Sequence, residues 1–265
     1  MSFPHSILTL ILTELSREIK LKKIDIRKKL EEIDFSLDQI SLGDFDYIGE
    51  FTAKKSRDRS SELYKNAGCF FRPNYERGIL IYALITKFRL DSFLEIGFGR
   101  GYASLCASMA FRDAGIDGKV VTIDPELSEE YLKNLSNFIP KELFSCMTFI
   151  KQTSQNALPQ IKENFDLIHI DGDHTYDAVK SDWENTKNMY NKFLIFDDYV
   201  PAERTDDGMQ CARLIDEIED ESKELITMDR RIFYDDRGVS DENMDYGQVM
   251  LTNSGLDVTQ FVVDW

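Results

Sequence analysis

From Tyr75 onward the hydrophobic pattern alternates between two periods. Residues 74–88, NYERGILIYALITKF, are apolar over most faces of a helix, and DSFLEIGF is a short continuous apolar run of buried-strand type that ends in glycines. YASLCASMAFRDAG returns to helical spacing and is closed by Gly115. The alternation then repeats: GKVVTIDP predicts a strand, ELSEEYLKNLSNF a helix, MTFIKQ a strand, SQNALPQIKE a short helix and FDLIHID a strand. YDAVKSDWENTKNMY reads as a helix, KFLIFDDY as a strand and GMQCARLIDEIED as a helix. Two last strands, within KELITMDRRIFYDD and YGQVMLTN, have no helix between them and predict an antiparallel closing hairpin.

Upstream the pattern changes. Leu8, Ile11, Leu12, Leu15, Ile19, Ile26, Leu30 and Ile33 recur at broadly helical spacing, so residues 6–34 predict an amphipathic helix packing on the main domain. Residues 41–74 mix aromatics, bases and acids without a period, the character of a lid-like segment. The chain thus divides into an N-terminal helical extension with a lid, 1–74, and an α/β domain, 75–265. Alternating strands and helices require a mostly parallel sheet with helices on both faces. Ligands of such sheets bind beyond the carboxyl ends of the strands, near the point where strand order reverses.

Composition narrows the partners. A net charge of −16 over 265 residues argues against a phosphate-backbone binder, and 15 acids against 6 bases fall between residues 201 and 245. No nucleic acid is expected. Cys69, Cys106, Cys146 and Cys211 lack C-x-x-C spacing and read as reduced packing thiols of a cytoplasmic protein. The run ILTLIL is too short to span a bilayer and has no secretion signature, so no membrane partner is expected. The N-terminal helix could instead serve homo-oligomer assembly.

The chemistry collects at strand ends. In FLEIGFGRGYAS, Gly97, Gly99 and Gly101 lie between a strand and a helix, where glycine lets a ligand approach the backbone and the helix N-terminus adds a positive dipole end. The spacing E-x-G-x-G-x-G does not fit the dinucleotide fingerprint. Glu95 on the strand would repel a pyrophosphate and could bind a cationic amine, directly or through water. This turn resembles the first motif of class I S-adenosylmethionine-dependent methyltransferases. That resemblance implies a cofactor set of Glu95, Gly97, Phe98, Gly99, Gly101 and Tyr102. Asp124 closes the next strand, in VVTIDPE, where a carboxylate can accept from both ribose hydroxyls, and it matches the family's ribose acid. Thr153, Ser154 and Gln155 follow the third strand; in the family that turn borders the adenine, although an acid is frequent there, and Ser154 and Gln155 join the set with Asp171.

The stretch FDLIHIDGDHTYD ends a greasy strand in Asp171, Asp173, His174 and Asp177, and LIFDDY ends another in Asp197 and Asp198. Neighbouring strands lie about 4.8 Å apart, so three carboxylates crowd one place and call for proton uptake or a cation. The bland alternative is that these acids cap a loop and a helix. IDGDH, then a helix, then a strand ending DDY resembles the metal-dependent O-methyltransferases of the class I fold that act on sugar and macrolide hydroxyls. The resemblance spans residues 70–255. It implies a Rossmann-like fold with a seven-stranded, mostly parallel sheet and an antiparallel closing strand. It also implies S-adenosylmethionine as cofactor, Mg2+ or another divalent cation on Asp171, Asp197 and Asp198, and Asp173 or His174 as the base. NMYNKF stands where the relatives carry a glycine pair.

Of the other histidines, His169 reads as a packed core residue and His5 as terminal. Acids around His174 would raise its pKa, and a neighbouring cation would lower it. The expected acceptor is a small hydroxylated molecule, sugar-like or a natural product, with Phe71, Arg72 or Tyr75 either over the cofactor or in an ordinary docking loop. Two rival readings remain: an NAD-dependent oxidoreductase of Rossmann type, and a non-catalytic cofactor-binding module.

Overall fold

The computed structural model describes residues 21–36, 38, 75–200, 210–227 and 247–253. Residues 6–20 of the expected N-terminal helix, the lid-like 41–74 with Phe71 and Arg72, His5, Cys69 and the side chain of Tyr75 lie outside the described residues. The order of elements is β1 (Lys22–Asp25), α1 (Ile26–Glu32), α2 (Tyr75–Phe88), β2 (Ser92–Ile96), α3 (Tyr102–Asp113), β3 (Lys119–Ile123), α4 (Glu129–Phe138), α5 (Lys141–Ser145) and β4 (Met147–Ile150). Then come α6 (Ser154–Ala157) with a 3-10 turn (Leu158–Gln160), β5 (Phe165–Ile170), α7 (Tyr176–Thr186), β6 (Tyr190–Tyr199), α8 (Cys211–Glu217), β7 (Glu224–Thr227) and β8 (Gly247–Thr252).

The sheet runs β1-β7-β8-β6-β5-β2-β3-β4, and within it only β8 is antiparallel. This is the expected doubly wound α/β architecture with its closing hairpin, except that eight strands stand where seven were expected. The extra strand is β1, on the edge beside β7, and it corrects the single helix over 6–34. In KKID the backbone pairs with Glu224–Thr227, Lys22 and Lys29 both reach Glu224, and Asp25 caps α1 by accepting from the Arg27 N–H at 2.9 Å. The amphipathic period is therefore interrupted at a cap. The short helix α5 was not legible either; Pro140 at its N-cap starts it and buried Leu143 anchors it.

Alternation along the strands divides the core between the two sheet faces. Phe93, Val120, Leu167, Phe193 and Ile195 pack with α2 and α3, while Leu94, Val121, Ile168, Leu194 and Phe196 pack with α7 and α8. Such two-sided burial explains why these strands read as unbroken apolar runs. The strand order reverses between β2 and β5, and the Asp171 N–H extends that seam by donating to the Ile96 carbonyl at 2.8 Å. The loops after β2, β3, β5 and β6 therefore open at one end of the sheet, beside the switch point.

Candidate active site

The glycine loop is shaped by what approaches it. Gly97 has φ +90°, and a Cβ there would collide with the Asp171 carbonyl, so the seam between β2 and β5 closes only over glycine. Gly101, at φ +82°, starts α3 without a side-chain cap and lies against the Phe98 ring. Phe98 itself is buried, edge-on to Phe149 with centroids 5.4 Å apart, so it anchors the loop from below. Gly99 faces open space, and its N–H donates to Asp124 Oδ2 at 3.0 Å. Asp124 Oδ1 accepts from the Glu126 N–H at 2.7 Å, so the carboxylate is fixed by two backbone donors at the loop's edge and each oxygen keeps a lone pair. Tyr102 packs over Gly78 of α2, beside Cys106.

Glu95 is placed differently from a ligand-facing acid. It is 2% exposed, accepts a short hydrogen bond from the Ser104 hydroxyl, and lies 3.8 Å from His169 Nδ1. Burial raises its pKa, against the pull of His169 and Ser104. In β5, His169 lies in register with Glu95 of β2 and Ile195 of β6. Its Nε2 is 3.7 Å from Asp197 Oδ2 and 3.2 Å from Gln248 Nε2. Burial would lower the His169 pKa, but Glu95, Asp197 and Asp171 raise it. His169 is a packed core residue, as expected from sequence, and it also lies between two buried carboxylates.

Ser154, buried at the start of α6, lies beside buried Asp182 of α7, and Gln155 is exposed in the same turn. Burial pushes the Asp182 carboxyl up to about 6, although Ser154 pulls it down.

At the ends of β5 and β6, Asp171 and Asp198 of the expected metal set converge with His174, whereas Asp197 pairs with Arg77. His174 Nε2 lies 3.5 Å from both Asp171 Oδ1 and Asp198 Oδ2. Burial would lower its pKa, yet the hydrogen bond to Asp171 and the charges of Asp198, Asp171 and Asp197 carry it up to about 9. Asp173 turns outward instead: it is exposed, and its Oδ1 accepts from the Thr175 N–H at 2.9 Å as α7 begins. Asp198 has φ +52°, a conformation rare outside glycine, and sits where the pairing of β6 with β8 is interrupted. That twist separates the two acids of the DD pair. Asp197 is buried at 2% exposed, while Asp198 faces His174.

One residue of the cluster was missed from sequence. Arg77, near the start of α2, sends Nη1 to within 2.5 Å of Asp197 Oδ2 and donates through Nη2 to Asp198 Oδ1. Burial pushes the Asp197 carboxyl up to about 8, against Arg77; the acids together raise Arg77 above its own burial penalty. Arg77 lies 94 residues before Asp171 in an apolar helix, so spacing gave no signal. Ligand atoms of Asp171, His174 and Asp198 all lie within 4.8 Å of one another, an oxygen-rich set that fits a hard divalent cation.

Residues 94–199 match the family model of a methyltransferase domain. Among solved structures the chain is similar to cofactor-bound Rv0187 from MTB, at 15% identity and TM-score 0.52, over 77% of this chain and 87% of that one. It is similar to the O-methyltransferase from Bacillus cereus in complex with SAH, at 16% identity and TM-score 0.50, over 79% and 90%. The O-methyltransferase TomG from Streptomyces achromogenes, in complex with SAM, aligns at 15% identity and TM-score 0.49 over 77% and 96%. No curated protein matches in sequence. At these identities the first two structures speak for the fold alone. Residues 94–199 are thus similar to a methyltransferase domain, and the glycine loop after β2 lies at the start of that match.

Proposed function

We propose that this methyltransferase acts on oxygen, transferring the methyl group of S-adenosylmethionine to a hydroxyl of a small molecule with His174 as general base. The observation that carries the reading is His174 Nε2 held 3.5 Å from both Asp171 and Asp198, one strand away from the glycine loop. Gly97–Gly101 would hold the cofactor's methionine end, Asp124 its ribose, and Ser154 and Gln155 its adenine. Glu95, enclosed by Ser104 and His169, acts on the cofactor's amine through the local field rather than by contact. The acceptor hydroxyl enters over Asp171, His174 and Asp198. Two carboxylates beside the imidazole stabilise the imidazolium that forms when His174 takes the hydroxyl proton. Asp173, committed to the Thr175 N–H and turned outward, supports the entry of α7 rather than the chemistry.

A divalent ion, Mg2+ in the simplest case, would be held by Asp171 and Asp198 and would lower the pKa of a bound hydroxyl. The same positive charge would draw the His174 pKa down from about 9, toward the range a base needs at neutral pH. Lining acids disfavour anionic acceptors and suit neutral polyols, sugars or phenols. Among the described residues no helix is long and apolar enough to cross a membrane, and free Cys106, Cys146 and Cys211 support a reducing, cytoplasmic setting.

The test is transfer from methyl-deuterated S-adenosylmethionine to a panel of hydroxylated acceptors, with Mg2+ or with chelator, read by mass spectrometry. The expected product is an O-methyl ether whose yield collapses in chelator and in His174→Asn, with affinity for S-adenosylhomocysteine kept. Label only on nitrogen, sulfur or carbon would overturn the reading, as would an undiminished rate in His174→Asn.

A further inference from the structure

We propose that Arg77 is a positioning residue for the acid cluster: its guanidinium occupies the inner cation position between Asp197 and Asp198, leaving a divalent ion only the outer set, Asp171 and Asp198. This rests on the metal reading above, and it changes which acids serve the ion.

Asp197 Oδ1 accepts from the Asp198 N–H at 2.8 Å, and Oδ2 lies 2.5 Å from Arg77 Nη1 and 3.7 Å from His169 Nε2. Asp197 is thus buried, at 2% exposure, with Oδ1 taken by a backbone N–H and Oδ2 in ion-pair contact with Arg77. Asp198 Oδ1 is taken by Arg77 Nη2, while Oδ2 faces His174. A planar guanidinium carries its donors in a fixed fork, so two of its nitrogens can each meet one of two adjacent carboxylates. The left-handed backbone at Asp198 presents one oxygen to Arg77 and the other outward; such a conformation persists only where its surroundings hold it. Arg77 and Asp197, which accepts from the Asp198 N–H, belong to those surroundings.

Two cations a few ångströms apart beside the same carboxylates compete. Arg77 therefore sets how tightly the outer position holds an ion, and removing its charge releases two acids to that ion. The test is Mn2+ binding to the full chain, without acceptor, by electron paramagnetic resonance of free Mn2+. Arg77→Gln is expected to bind Mn2+ on the order of tenfold tighter than wild type, given the strength of one added charge at this range in a partly buried site. Its melting temperature in chelator falls, and Mn2+ restores more of it than in wild type. Asp198→Asn loses Mn2+ binding, whereas Asp197→Asn keeps it close to wild type. Arg77→Lys, which retains charge but loses the fork, falls between wild type and Arg77→Gln.

Unchanged or weaker Mn2+ binding in Arg77→Gln would overturn the proposal, as would an Asp197→Asn loss equal to that of Asp198→Asn. Should Arg77→Gln not fold, Arg77→Lys and Asp197→Asn decide by the same criteria. Wild type that takes up no Mn2+ would sink the metal part of the proposed function alone. In that case Mn2+ binding acquired by Arg77→Gln still supports the clamp, and its absence overturns it.

Discussion

Raising the pH in chelator is expected to weaken the fold through one identifiable side chain. His174 is 27% exposed and lies against two carboxylates, and its pKa stands at about 9 against an ordinary 6.5. A group that holds its proton longer when folded stabilises fully below the unfolded value and loses that contribution as pH rises through the folded one. The window therefore runs from 6.5 to about 9, with stability falling as pH rises. At about 1.4 kcal/mol per unit, the shift corresponds to at most about 3.5 kcal/mol; screening of the exposed quarter of the ring lowers the expectation to about 2 kcal/mol. Urea unfolding of wild type and His174→Asn, at steps from about pH 6 to about pH 9.5, isolates the effect as a difference. Asp197, which burial pushes up to about 8, titrates in both proteins and largely cancels. A difference that stays flat, or that grows with pH, would refute the placement of His174 between Asp171 and Asp198.

Three further outcomes follow from single contacts. Gly97→Ala is expected to cost several kcal/mol, because φ is +90° and the obstacle is the Asp171 backbone rather than a side chain that could turn away; thermal melting checks it, and a loss under about 1 kcal/mol would mean the seam yields. Asp173→Ala should lose about 1 kcal/mol through the Thr175 N–H contact, with the methyl-transfer rate nearly unchanged; a rate loss comparable to that of His174→Asn would move the base to Asp173. Asp124→Asn is expected to weaken S-adenosylhomocysteine binding by about 1–3 kcal/mol, through loss of charged acceptance. Calorimetry showing equal affinity would take Asp124 out of the ribose site.

Where a residue's role was local, the sequence disclosed it. The alternation from Tyr75 onward specified the strands from β2 onward, since all but the edge strand β4 are largely buried on both faces, and the acids at 124, 171, 197 and 198 were visible as strand ends. What escaped depended on distant chain. β1 sits inside an apparently helical period and becomes a strand only because Glu224–Thr227 offers an edge and Lys22 and Lys29 meet Glu224. His169 looks like any buried ring until Glu95 and Asp197 arrive from the strands on either side. Crowding of acids pointed to a divalent ion; the structure also sets Arg77, whose helix is far away in sequence, against two of those acids. The left-handed turn at Asp198, which divides the DD pair into an inner and an outer acid, has no signature in IFDDY.

The most direct test of the account is calorimetric titration of the wild-type chain with S-adenosylhomocysteine and, separately, with NAD. The account predicts one S-adenosylhomocysteine bound per chain, weakened in Asp124→Asn, and no heat from NAD. Saturable binding of NAD with none of S-adenosylhomocysteine would contradict it.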